Sequence, residues 1–191
     1  MPSQEATGPW VFDTRELIRR PGAMRTVSRD VVAPEPIGTD VVAVAAGQQV
    51  GMELRLESVV EGVLVTGSAR AVATGVCVRC LDPVEFPLDV TVQELFAYAD
   101  RAAHHHEVAT EDDDEELMLE GDLMDLESVV RDAVVTALPF QPVCREDCPG
   151  LCPHCGARLA DDPEHHHDLI DPRWSALAEL AKADDTNEKR N

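Results

Sequence analysis

Aromatic side chains are scarce in this sequence, where four Phe, two Trp and one Tyr make up 4% of the residues. A chain so composed cannot build its core by ring packing. Its interior must rest on Val, Leu and Ala, and a metal staple would add stability that rings cannot. Basic charge is also sparse, with 16 Lys and Arg against 37 Asp and Glu and a net charge of -21. Nucleic-acid affinity depends on cations displacing condensed counterions, so a surface that binds RNA or DNA broadly is excluded and any such contact must be local. No window approaches the roughly 18 uninterrupted apolar residues that mark a membrane span. The start Met1-Pro2-Ser3-Gln4-Glu5 has no basic segment leading into an apolar stretch, so the expectation is a cytoplasmic protein with no membrane partner. A phosphate loop, a Gly-rich dinucleotide fingerprint and a Gly-x-Ser-x-Gly elbow are all missing. The acidic run Glu111–Glu116 does not fix two carboxylates at a defined separation in a dry pocket. The expectation is therefore no enzyme and no small-molecule substrate.

What is present is cysteine in pairs. All six fall at short spacing, as Cys77-Val-Arg-Cys80, Cys144-Arg-Glu-Asp-Cys148 and Cys152-Pro-His-Cys155, with His165-His166-His167 downstream. Thiolates two or three residues apart can reach one tetrahedral ion at about 2.3 Å per bond without unfolding the backbone, and in a reducing compartment such pairs read as zinc ligands before disulfides. Gly156 directly after Cys155 permits the backbone turn that knuckles need. The preferred pairing has two ions: Cys77, Cys80, Cys144 and Cys148 at one site, Cys152 and Cys155 with His165 and His167, or His166, at the other. The first would carry a charge of about -2, offset by the adjacent Arg79 and Arg145. A competing pairing sets Cys77 and Cys80 against Cys152 and Cys155 in a single ribbon and leaves Cys144 and Cys148 free. A redox role for one Cys-x-x-Cys pair is disfavoured because Cys77 follows a strand, with no βαβ context to place it at a helix start. In both sites four protein ligands close the shell, which points to structural zinc. His104-His105-His106 reads as solvated, and His154 points outward from its knuckle.

Hydrophobic periodicity outlines an α+β fold, a small antiparallel β-sheet covered by one long helix, with a cysteine-rich zinc-knuckle segment at the C-terminal end. Met52, Leu54 and Leu56 alternate with Glu53, Arg55 and Glu57 as in a half-buried strand, Glu61-Gly62 marks a hairpin turn, Val63 to Ala73 returns, and a further strand runs from Val84 to about Phe96. Asp125 caps a helix with Leu126, Val129, Val130, Ala133, Val134, Ala137 and Leu138 on one face, stopped by Pro139. The organisation that follows is an Arg-rich arm with a short helix over 1–28 and a core over 29–143 whose acidic 99–122 forms a mobile loop. Beyond these come a zinc-knuckle segment with a C-terminal helix over 144–183 and a disordered tail over 184–191. Residues 29–40 read as connection.

These residues resemble the YceD family in its actinobacterial form. The likeness is carried by Cys77-Val-Arg-Cys80-Leu81-Asp82-Pro83, by Ala137-Leu138-Pro139, by the cluster from Cys144 to Gly156 and by Ile170-Asp171-Pro172-Arg173-Trp174. It extends to Phe12-Asp13-Thr14-Arg15-Glu16-Leu17 and Arg19-Arg20-Pro21-Gly22 at the start. The family is also named the large ribosomal RNA subunit accumulation protein. The resemblance implies a cytosolic, non-enzymatic role in accumulation or processing of large-subunit (23S) rRNA and in ribosome assembly, with a gene commonly beside that of a large-subunit ribosomal protein. Many members carry Cys-x-Cys where this chain has His165-His166-His167, so histidine here replaces thiolate. Two physical routes serve such a role. Arg15, Arg19, Arg20, Arg25 and Arg29 could contact precursor rRNA, or the acidic surface could hold a basic ribosomal protein of the large subunit. The second is preferred, since a basic partner gains from an acidic surface that RNA must overcome. The alternative class, a zinc-dependent nucleic-acid-binding transcription regulator, lacks a recognisable recognition helix.

Overall fold

The computed structural model describes residues 8–100 and 117–167. The chain divides into two compact units, Met1–Cys148 and Pro149–Asn191. The first is mainly β-structure, with strands β1 (Val11–Asp13), β2 (Met24–Val32), β3 (Ile37–Gly38), β4 (Val42–Val44), β5 (Gln49–Ser58), β6 (Gly62–Val76), β7 (Pro83–Ala97) and β8 (Leu123–Asp125), and a helix α1 (Glu127–Ala137). The expected small sheet under a long helix is thus corrected. The sheet has six strands, two of them fifteen residues long, and α1 has eleven residues. The two long strands lie close to the expected Val63–Ala73 and Val84–Phe96, and the sheet outgrows the expectation because β2, β3 and β4 also join it.

β6 is the spine. β7 pairs with it antiparallel along its whole length, from Gly62↔Ala97 to Val76↔Pro83. Its opposite edge takes β5 over Val63 to Arg70 and β4 at Thr74 and Gly75. β2 adds to β5, β3 adds to β4, and the short pair β1–β8 forms a separate ribbon. Strict period-two burial in β5 places Val50, Met52, Leu54, Leu56 and Ser58 inward. Against this face pack Trp10, Phe12, Met124, Leu126 and, from α1, Val129, Val130 and Val134. Ser58 Oγ and Tyr98 Oη form a buried polar pair in that interior at 3.0 Å, which satisfies both hydroxyls. Among the described residues no helix is long and apolar enough to cross a membrane.

Three further expectations are revised. The anticipated boundary between an arm and the core at residue 28 falls inside β2, whose register with β5 is continuous from Met24↔Glu57 to Val32↔Gln49. As an edge strand β2 is largely exposed, so its alternation carries little apolar signal. The short helix of the arm is a single 3₁₀ turn, Arg15–Leu17, ended by Ile18 and Arg19 at φ 50° and 47°; Asp13 Oδ1 accepts the Arg15 N–H at 2.9 Å, and Thr14 makes no side-chain cap. The loop expected over 99–122 ends earlier than thought: Leu117 and Leu119 hydrogen-bond to Ala97 and Leu119 is buried. Its remaining part, 101–116, with His104–His106 and the acidic run, lies outside the described residues, as do the expected C-terminal helix and tail.

Candidate metal centres

The long β6–β7 hairpin carries Cys77 and Cys80 at its tip. Cys77 donates its N–H to Asp82 O (2.7 Å), Leu81 donates to Cys77 O (2.9 Å), and Leu81 closes the turn at φ 63°. The opposing pair arrives from α1. Leu138 leaves the helix in extended conformation, and Pro142 O accepts the Val78 N–H at 2.9 Å, which sets Cys144 and Cys148 against the hairpin tip. The result is Cys77 Sγ 3.8 Å from Cys148 Sγ and Cys80 Sγ 3.6 Å from Cys144 Sγ, with all four sulfurs within 4.8 Å of one another.

None of these contacts is a disulfide, since all six cysteines are free thiols. A tetrahedron with metal–sulfur bonds of about 2.3 Å has edges of about 3.8 Å, which is the spacing found. Cys77 and Cys148 are buried beside Val84, with Phe86 and Val143 packed against them, so the cluster doubles as a small satellite core. Arg79 spans the two pairs. Its guanidinium donates to Glu146 O (3.0 Å) and Cys148 O (3.1 Å), while its N–H donates to Cys77 Sγ (3.4 Å). Arg145 instead pairs with Asp147 at 3.3 Å, so the charge offset expected from both arginines has a direct basis in Arg79 only.

Burial pushes the Cys77 thiol up, yet the N–H groups of Cys80, Cys144 and Arg79 outweigh it and hold the thiol at about 6. At Cys80 the Asp82 N–H favours the thiolate, but burial and the neighbouring thiols of Cys77, Cys144 and Cys148 carry it to about 12. Cys144 is raised too, first by its contact with the Cys148 sulfur and then by burial. Of these three thiols the hydrogen bonds favour the thiolate at Cys77 alone, and a cation among the sulfurs would favour it at Cys80 and Cys144 as well. A soft divalent ion fits that donor set.

The second centre lies wholly within the unit Pro149–Asn191. Leu151 bridges Arg158, Cys152 donates its N–H to Ala157 O (2.8 Å) and Gly156 donates to Cys152 O (2.9 Å). Gly156 sits at φ 73°, where a side chain would be strained. A second turn, with Asp162 Oδ1 accepting the Glu164 N–H and Asp162 O the His165 N–H, brings the histidines back. His165 Nε2 and His167 Nε2 each lie 3.3 Å from Cys155 Sγ and 3.0 Å from one another, and with Cys152 Sγ they form a group of four within 4.8 Å. His166 is turned away, its Nδ1 3.0 Å from Glu164 O, which distinguishes it from its neighbours. The N–H groups of Cys155 and His154 hold the Cys152 thiol at about 6 against its burial. His154 stacks edge-on against His167, with centroids 5.5 Å apart.

The geometry thus gathers the eight candidate ligands into two sets of four, each of which could hold a metal ion, and Cys77 and Cys80 group with Cys144 and Cys148 rather than with the second knuckle. The arginines are a different case. Arg15 pairs with Asp13 (3.2 Å) and Arg25 with Glu16 (3.1 Å). Arg19 lies over the Tyr98 ring at 4.8 Å and faces Asp100 and Asp122. Arg29 covers the Phe12 ring at 4.1 Å and donates to Val11 O at 2.8 Å, and Arg20 is exposed. Four of the five are engaged with this chain's own groups, a use that sequence alone gave no means of seeing, since the partners lie up to a hundred positions away.

Comparison with known proteins accords with the cysteine pattern. A family model described as large ribosomal RNA subunit accumulation protein YceD matches residues 65–181. The chain belongs to the YceD family. Uncharacterised proteins of Mycobacterium bovis and Mycobacterium tuberculosis are similar to this YceD chain, at 45% identity over 93% of it and 84% of their own length. One from Mycobacterium leprae is 43% identical over 92% of the chain and 79% of its own length. No solved structure matches. The YceD match begins within β6 and spans both cysteine–histidine groups, so the region that defines the family is also the one that holds the candidate ligands.

Proposed function

We propose that this protein is a non-enzymatic, cytoplasmic factor that supports accumulation or processing of large-subunit (23S) rRNA during ribosome assembly, with two structural zinc ions. The observation that carries the reading is the closure of both donor groups. Each gathers four side chains of the thiolate and imidazole type that zinc takes in structural sites, and an ion held by all four would keep no position for a water or substrate. Cys77, Cys80, Cys144 and Cys148 would hold one ion and thereby tie the β6–β7 hairpin to the segment after α1. Cys152, Cys155, His165 and His167 would hold the other and fold the unit around them. Zinc supplies no chemistry here beyond cross-linking.

The partner in this reading is a basic ribosomal protein of the large subunit, held by an acidic surface before it meets RNA. The net charge of -21 favours such a partner, and an RNA contact at Arg15, Arg19, Arg25 or Arg29 would compete with the contact each makes to this chain's own groups. The transcription-regulator reading gains nothing from α1, which turns Val129, Val130 and Val134 to the sheet and carries Glu127 and Asp132. The test is a strain lacking the gene. The mature 23S to 16S rRNA ratio should fall and be restored by the intact chain but not by Cys77→Ser with Cys148→Ser. An unchanged ratio would contradict the proposal.

A further inference from the structure

β7 has one partner. Its register with β6 runs without a bulge, and in an antiparallel ladder alternate residues turn both N–H and C=O away from the neighbour. Which alternate set faces outward is fixed at its end, where Ala97 donates to Leu117 O (2.8 Å) and accepts from Leu119 N (3.0 Å). The odd-numbered residues Glu85, Asp89, Thr91, Gln93 and Leu95 therefore share that outward direction. Pro87, which has no N–H to give, falls in the same set, the place where an edge strand tolerates proline. Among the described residues nothing pairs with this edge before Ala97. There Leu117–Leu119 runs beside the edge, parallel to β7.

Beside the edge runs a groove of about 850 Å³ between β7 and α1. Its floor is apolar, with Val90, Val92, Val129 and Ala133, and its walls carry Thr91, Thr136, Glu94, Asp89 and Asp132. Among the described residues no Lys or Arg lines it. Asp89 is shared with Arg70 at 3.1 Å, but among the described residues no cation pairs with Glu94 or Asp132. An open strand edge offers main-chain hydrogen bonds to an extended chain, and a groove of this lining selects one whose alternate side chains are apolar and cationic. A second copy of this chain is disfavoured by its own charge of -21.

We propose that the β7 edge, from Glu85 to Leu95, binds an extended, Lys- or Arg-rich polypeptide segment as an added strand in the groove against α1. The proposal rests on the reading above, in which the partner is a basic ribosomal protein, and locates the contact. The test uses the full zinc-loaded chain and individually purified large-subunit ribosomal proteins, with binding and backbone hydrogen exchange measured in parallel. A basic protein should bind, slow exchange at Asp89, Thr91 and Gln93, and weaken as salt is raised. Thr91→Pro removes an outward N–H without taking a bond from β6 and should weaken binding about tenfold. The backbone-neutral pair Glu94→Lys with Asp132→Lys should weaken it comparably, which guards against Thr91→Pro failing through misfolding. Binding that neither variant alters and that leaves β7 exchange unchanged would overturn the edge while leaving the partner class standing. Binding by none of the proteins would overturn both, as would protection of β7 by 23S rRNA fragments alone.

Discussion

At the scale of single residues, the arginines near the start show how far local composition can mislead. Grouped in sequence, they suggest a basic arm. In the fold, Arg29 holds β1 to β2 through its contact with Phe12 and its bond to Val11 O, and Arg19 clamps Tyr98 from the other side of the chain. Replacing Arg29 by Ala should cost about 2–4 kcal/mol of stability, the sum of one cation–π contact and one charged hydrogen bond at a half-buried site. Urea unfolding would read this as a lower midpoint with unchanged slope, whereas an unaltered midpoint would return Arg29 to the set available for RNA. The ligand residues behave oppositely. Their spacing alone put Cys77 with Cys80 and Cys152 with Cys155, because two intervening residues are a local geometric constraint. The choice of His165 and His167 over His166 was not legible, since it depends on a turn at Asp162.

At the scale of elements, β5, the β6–β7 hairpin and α1 could be read from periodicity because each buries one face against one core. β2 and β3 could not. An edge strand with exposed Met24, Arg25, Thr26 and Ser28 has no apolar alternation to detect, and a two-residue strand has no period at all. The small residues of β6, read within the expected Val63–Ala73 strand, are tightly constrained. A Cβ at Gly67 would overlap the carbonyl of Glu53 on the neighbouring strand β5. Gly67→Ala should therefore destabilise the protein by about 1–3 kcal/mol, the cost of overpacking a close-packed position. Thermal unfolding would show this, and a neutral result would mean that β5 and β6 can separate locally without cost.

At the scale of the whole molecule, the sequence placed an acidic, aromatic-poor chain among metal-stapled folds, and two groups of four donors meet that expectation. Each group belongs to one compact unit, Met1–Cys148 for the four cysteines and Pro149–Asn191 for the cysteine–histidine set, so each is predicted to load independently. The first centre buries Cys77 and Cys148, whereas the second leaves Cys155 and His167 exposed, and a chelator should reach the second first. The measurement that tests the account most directly is metal stoichiometry with thiol counting, by native mass spectrometry of tag-free protein under reducing conditions. The account predicts two zinc ions and no reactive thiol, falling to one ion in Cys155→Ser and to one in Cys77→Ser. One zinc ion with Cys144 and Cys148 reactive would contradict the two-centre arrangement, and no metal with six reactive thiols would remove the structural role of zinc altogether.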